Sequence, residues 1–152
     1  NTGACTHAGN ASNTLNSGDS TSLNLADTIW PEAFYSGWDG NAVSTTAVFR
    51  NSGTSDLFDF NTDFGISLFR GSTATTAFAM GATNWVTANV NIPNTTMQLS
   101  NRTTLQWQYG TPATAITDRN RTATMYLAGA NIRDAAGNVS ANFTEACATT
   151  AW

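Results

Sequence analysis

Lysine is absent from this sequence, and charged residues of all kinds fill only 11% of its 152 positions, under half the share of about 25% usual in soluble domains. The positive charge that remains belongs to arginines at positions 50, 70, 102, 119, 121 and 133, of which only Arg119 and Arg121 sit close together. A surface that follows a phosphate backbone needs a basic stripe. This chain cannot assemble one, so no nucleic acid is expected as a partner. The net charge of −4 is too mild to signal adaptation to high salt. Histidine occurs once, as His7, in a polar stretch near Cys5. A Ser/His/Asp or Cys/His mechanism needs an imidazole held by a third group, and nothing around His7 supplies one. Glu32, Glu145 and the aspartates are available for a glycosidase pair, but the sequence fixes no separation between them and gives no sign of a raised pKa. Zinc lacks enough Cys and His ligands. The expectation is therefore a chain that is not an enzyme and carries no cofactor or metal. No apolar run reaches the eighteen residues of a transmembrane segment. The chain starts at Asn1 without a charged and hydrophobic leader, which is read as an exported protein whose signal peptide has been removed.

What the sequence does contain is Asn, Thr, Ser, Ala and Gly in abundance, a composition that suits a β-rich exported domain. Its length fits one domain with a real core. The clearest pattern runs from Val48 to Phe69. There Phe58, Phe60, Thr62, Phe64, Ile66 and Leu68 recur every second position, with Asp59, Asn61, Asp63 and Ser67 between them. One pleated face is apolar and the other wet, which is a half-buried strand. Asn51-Ser52-Gly53, after the β-prone Ala47-Val48-Phe49, supplies the turn that folds one strand back on the next.

Taken in order, residues 1–22 read as a polar tail and 23–152 as the folded domain. Leu23, Leu25 and Ile29 alternate in a first strand that stops at Trp30-Pro31. Residues 30–41 hold four aromatics among turn residues and read as a loop or short helical turn. A strand follows over Val43 to Phe49. Residues Trp85 to Ile92 alternate with Val86, Ala88, Val90 and Ile92 on one face, and Pro93-Asn94 is expected to end that strand. Leu105, Trp107 and Tyr109 share an inward face opposite Arg102, Thr104, Gln106 and Gln108. Strands over Thr122 to Ala128 and Val139 to Thr144 complete the chain, joined by a turn at residues 134–138. Seven or eight short strands with no helical period indicate an all-β, antiparallel β-sandwich, with a closed barrel as the alternative.

Two stretches carry a resemblance. Val48-Phe-Arg-Asn-Ser-Gly-Thr-Ser-Asp-Leu57 resembles the strand and corner of immunoglobulin-like domains in archaeal surface filaments and their accessory proteins. Ala130-Asn-Ile-Arg-Asp-Ala-Ala-Gly-Asn-Val139 is similar to the closing hairpin of immunoglobulin-like repeats in bacterial and archaeal surface proteins. The hydrophobic N-terminal helix of pilin-type subunits is missing. What the resemblance implies is an immunoglobulin-like fold at the cell surface.

Four groups of residues are candidate sites. Cys5 and Cys147 lie near opposite ends. An even count in an exported chain favours a disulfide, worth about 2 to 4 kcal/mol by loop entropy. Two unpaired thiols, or one reactive thiol assisted by His7, are the other readings. Asp59-x-Asn61-x-Asp63 begins like a calcium loop, but the glycine is Gly65 rather than the sixth position, and Arg70 stands at the twelfth where the pattern needs glutamate. A looser calcium site at Asp56, Asp59 or Asp134 stays open. Trp30, Phe34, Tyr35 and Trp38, with Glu32 and Asp39 among them, are either a cap on one end of the core or a surface on which sugar rings stack. Asn10, Asn94, Asn101, Asn120, Asn138 and Asn142 each begin an Asn-x-Ser/Thr glycosylation signal. Together these point to a non-enzymatic, extracellular or cell-surface subunit of a filament or layer. It would self-associate, or join other surface proteins, by lending its polar tail to a neighbour's sheet edge. A secreted carbohydrate-binding module with a glycan ligand is the alternative.

Overall fold

Blocks of alternating apolar and polar residues form strands here because a pleated strand buries one face and wets the other. The computed structural model describes residues 5–9, 14–25, 28–33, 37–52, 56–60, 78–79, 85–116, 124–127, 136, 138 and 143–148. Among them the strands are β1 (Cys5–Ala8), β2 (Ser20–Asn24), β3 (Val43–Arg50), β4 (Leu57–Phe60), β5 (Phe78–Ala79), β6 (Val90–Ser100), β7 (Thr104–Gln108), β8 (Thr124–Leu127) and β9 (Phe143–Ala148). Among the described residues the fold is all-β, and every strand pairing except that of β1 with β9 is antiparallel. The single helical element among these residues is a 3-10 turn at Pro31–Ala33, inside the segment expected to be a loop or short helical turn. Hydrogen-bonded neighbours run β1-β2-β7-β6-β3-β4-β5-β8-β9. A parallel pairing of β1 with β9 joins the two ends into a ring.

The interior is aromatic. Phe49 and Phe58 are cross-strand partners on β3 and β4, and their rings meet edge to face at 5.2 Å. Phe58 then stacks on Trp107 of β7 at 5.2 Å and 17°, and Phe60 meets the same indole edge-on at 5.8 Å. Because β3 and β6 separate β4 from β7 in the pairing order, this stack crosses the interior. Leu105, Trp107 and Tyr109 are all buried, as their alternation predicts. The phenylalanine alternation holds at Phe58 and Phe60. Its continuation at residues 61–69 lies outside the described residues.

Three sequence expectations meet a different arrangement. The 1–22 segment contributes β1 and the start of β2, and Leu15 is 2% exposed within the core cluster. Backbone bonds anchor it: Leu15 N donates to Ile116 O at 2.9 Å, Gly18 N to Tyr109 O at 2.9 Å, and Tyr109 N to Asp19 O at 2.7 Å. Next, Trp85 and Val86 are both buried, which alternation forbids within one strand. They precede β6, which begins at Val90. Finally, Pro93-Asn94 does not end the strand. β6 runs on to Ser100, and its pairing with β3 steps from Thr45↔Thr95 to Ala47↔Ile92. Two residues, Pro93 and Asn94, thus oppose Thr46 alone. That is a bulge, where a proline without an N–H is tolerated, and Asn94 takes a positive φ of 58° there.

The bulge is held by Thr95 and Gly110. Thr95 Oγ1 donates to Ile92 O at 2.9 Å and accepts from Gly110 N at 3.3 Å. A Cβ on Gly110 would overlap the Pro93 carbonyl oxygen and lie 2.9 Å from the Asn94 carbonyl carbon. Gly110→Ala is therefore expected to lose about 3 kcal/mol, the upper end of overpacking effects. Leu15→Ala is expected to lose about 2 to 5 kcal/mol, as a buried leucine does. Urea denaturation of both variants checks this, and an unchanged midpoint for Leu15→Ala would return residues 14–22 to the surface.

Candidate binding face

The outward positions of β2, β7 and the second half of β6 carry uncharged polar side chains. β2 turns Thr21 and Leu23 inward and leaves Ser20, Ser22 and Asn24 outside. β7 does the same with Thr104, Gln106 and Gln108, and the second half of β6 with Thr96, Gln98 and Ser100. Register aligns them in rows: Ser20, Gln108, Thr96 and Ser44 in one, Ser22, Gln106 and Gln98 in the next, Asn24, Thr104 and Ser100 in the third. Several are tied to one another. Gln98 Nε2 donates to Gln106 Oε1 at 2.9 Å, Thr104 Oγ1 to Asn24 Oδ1 at 3.0 Å, and Gln108 Nε2 to Gly18 O at 3.2 Å. A groove of about 300 Å³ lies over the first two rows, lined by Ser20, Ala42, Thr96, Gln98, Gln106 and Gln108. With only hydroxyls and amides, this face offers neutral hydrogen bonds, each worth about 0.5 to 1.5 kcal/mol.

The aromatic loop is split. Trp38 is 4% exposed and belongs to the core cluster, with its Nε1 donating to Asn41 O at 2.8 Å. A ring so placed has no face open for stacking. Trp30 is 44% exposed, and the Arg102 guanidinium sits 5.0 Å from its ring centroid. Arg102 and Asn101 form a tight turn with φ of 59° and 51°, closed by Thr103 N donating to Ser100 O at 3.1 Å. Phe34 and Tyr35 lie outside the described residues.

The buried acids serve the backbone. Asp56, 0% exposed, accepts from Ser52 N and Val86 N, each at 3.0 Å. It thereby locks the β3–β4 loop to the segment before β6, which explains why Val86 is buried outside a strand. Asp19 Oδ2 accepts from Asn16 N at 2.7 Å. Exposed Asp39 bonds Asn41 through both oxygens, at 2.9 and 2.6 Å. Among the described residues no three of His, Cys, Asp and Glu gather as a metal site would need. The Asp59 side chain and Asp134 are outside that set.

Of the glycosylation signals, Asn94, Asn101 and Asn138 are exposed, the first two in positive-φ positions. Asn10, Asn120 and Asn142 lie outside the described residues. Cys5 and Cys147 are Cα partners in the parallel β1–β9 pairing. Sequence reasoning had identified the wet face of β7 but not the matching rows on β2 and β6. The uncharged alternation in Ser20–Asn24 and Thr96–Ser100 was the available signal.

Tyr109 is the buried titratable group beneath this face. Desolvation pushes its phenol above the usual tyrosine value, the hydrogen bond to Thr21 and the neighbouring Trp107 indole offset part of the rise, and the Asp19 charge adds to it. Its hydroxyl lies 3.0 Å from Thr21 Oγ1. A raised folded pKa means the unfolded chain loses this proton first, so its stabilisation is complete below about pH 10 and declines as pH climbs above it. Tyr109→Phe is expected to flatten that alkaline decline in pH-dependent thermal melts, while an unaltered slope would count against a protonated, buried phenol.

Compared with known proteins, the chain matches no family model, no curated protein and no solved structure.

Proposed function

We propose that the chain is a structural or adhesive subunit of an extracellular filament or surface layer, assembling through β-strand contacts between copies and catalysing no reaction. Its fold in this reading is an immunoglobulin-like sandwich, whose seven or eight main strands form two layers across the Phe58–Trp107 stack. That stack between non-neighbouring strands supports two facing layers.

The observation that carries the assembly reading is the position of β1. It is the first strand among the described residues, only four residues long, and fills a slot between β2 on one side and β9 on the other. From Leu15 onward the chain is tied to Ile116 and Tyr109, contacts that an exchange of β1 would leave in place. If β1 of one copy fills the slot of the next, each subunit makes the same pairings with a neighbour and a head-to-tail polymer results.

The cysteine register supports the same reading and the extracellular location. Adjacent strands lie about 4.8 Å apart, within the Cα separations of about 4.4 to 6.8 Å that a disulfide spans. A Cys5–Cys147 bond in an exchanged polymer would join different chains. Occupied signals at Asn94, Asn101 and Asn138 would fit the same compartment.

Negative-stain microscopy and non-reducing electrophoresis test the proposal. Full-length protein is expected to form polymers and a covalent ladder that collapses on reduction. Deleting residues 1–8, which spares Leu15 and β2, is expected to abolish both. Polymers that persist after this deletion, or a full chain that stays monomeric, would overturn it.

A further inference from the structure

We propose that the outward face of β2, β7 and the second half of β6 binds a neutral, hydroxyl-rich ligand, an oligosaccharide without ionic groups, seated in the groove over Gln98 and Gln106. This supplies the adhesive half of the reading above with a ligand class and rests on it to that extent. It does not depend on strand exchange, because the face lies on strands that exchange leaves in place.

The argument begins with the amide pair. The bond from Gln98 Nε2 to Gln106 Oε1 fixes two flexible side chains side by side. It leaves the Gln98 Oε1 acceptor and the Gln106 Nε2 donor at the groove without a protein partner among the described residues. Beside them Gln108 is held by Gly18 O, which keeps its own amide oxygen available. Thr96 and Ser20 add hydroxyls that both donate and accept. Donors and acceptors at strand spacing, about 4.8 Å across and 6.8 Å along, offer separate partners to the hydroxyls arrayed around a sugar ring, which likewise donate and accept. The groove volume of about 300 Å³ is at the small end of ligand sites.

Charge and polarity select among occupants. An anionic ligand calls for Arg or Lys, and neither is among the described residues that line the groove. A cationic ligand calls for a carboxylate, which those described residues also lack. An apolar ligand, or the face of another sheet packed as in a sandwich core, would bury these amides unpaired at about 1 to 3 kcal/mol each. A neutral polyol pairs with them and incurs no such penalty.

Calorimetric titration of the full-length chain with cellohexaose, maltohexaose and chitohexaose, and with an oligogalacturonate as the acidic probe, tests the proposal. At least one neutral probe is expected to bind, with affinity unchanged between low and high salt. The Gln98→Ala/Gln106→Ala variant is expected to weaken that binding at least about tenfold, the equivalent of roughly 1.4 kcal/mol. Asn91→Ala, exposed on the other half of β6, should leave it intact. Circular dichroism confirms that both variants fold, and Gln98→Glu serves if the double variant does not, since a carboxylate in the groove removes an amide donor and adds charge. No binding of any neutral probe by folded protein would overturn the proposal. So would binding indifferent to the groove substitutions, or salt-sensitive binding of the acidic probe alone. Because the titration reads binding and not polymer length, loss of polymers with binding retained would sink only strand exchange.

Discussion

Phe58 and Trp107 share no ladder of hydrogen bonds, since two strands stand between β4 and β7 in the pairing order, yet their rings stack in the interior at 5.2 Å. Hydrogen bonding alone would permit the ring of strands to be open and round or pressed flat. The aromatic contacts decide how near its opposite sides approach. Phe49, Phe60 and Tyr109 all pack on Phe58, and Phe60 also meets Trp107, so one cluster joins β3, β4 and β7. Such pairs contribute about 0.5 to 1.5 kcal/mol each beyond the area they bury. The outward rows of β7 and β6 owe their alignment to this: Trp107 is anchored inward, and strand alternation then turns Gln106 and Gln108 outward.

The bulge at Pro93-Asn94 is the second constraint. It lets one long strand serve two registers, pairing Val90 to Ile92 with the end of β3 and Thr95 to Met97 with its start. If the extra residue were not absorbed in a bulge, the alternation that buries Ile92 would run unbroken and turn Thr96 inward and Met97 outward. Instead Ile92, Thr95, Met97 and Leu99 are all buried, and Thr96, Gln98 and Ser100 face out. The outer rows therefore depend on a local irregularity whose fit requires glycine at position 110.

Period-two patterning was legible wherever a strand is wet on one side, as at Leu105, Trp107 and Tyr109, or at Phe58 and Phe60. The same reasoning misplaced Trp85 and Val86, because two adjacent buried residues in a loop mimic part of an alternating strand when Val90 and Ile92 follow. What buries them is a contact distant in sequence, Asp56 accepting from Val86 N. Pro93 looked like a terminator because proline's missing N–H was weighed without the alternative of a bulge. Residues 14–22 looked like a tail because Leu15 is their sole large aliphatic side chain. Its burial depends on Ile116 and Tyr109, a hundred positions away. The binding face was invisible for the same reason. Each strand displays an ordinary polar side, and only the β2-β7-β6 order turns three such sides into one surface.

The missing lysine gains a physical explanation from the ring. Open sheets guard their edges against unwanted pairing with charged side chains, lysine above all. Here β1 pairs with both β2 and β9, so the first and last strands cover each other and no charged guard is needed at that seam. The protection is conditional on a strand of four residues, a small number of hydrogen bonds to hold against chain entropy. Release of β1 would expose two edges at once, both complementary to the strand just released from an identical copy. A chain poor in charge thus has little to oppose association once the seam opens. The same poverty leaves its outer face to amides and hydroxyls, so that the proposed assembly at the seam and the proposed recognition on the face would have a common origin in the composition.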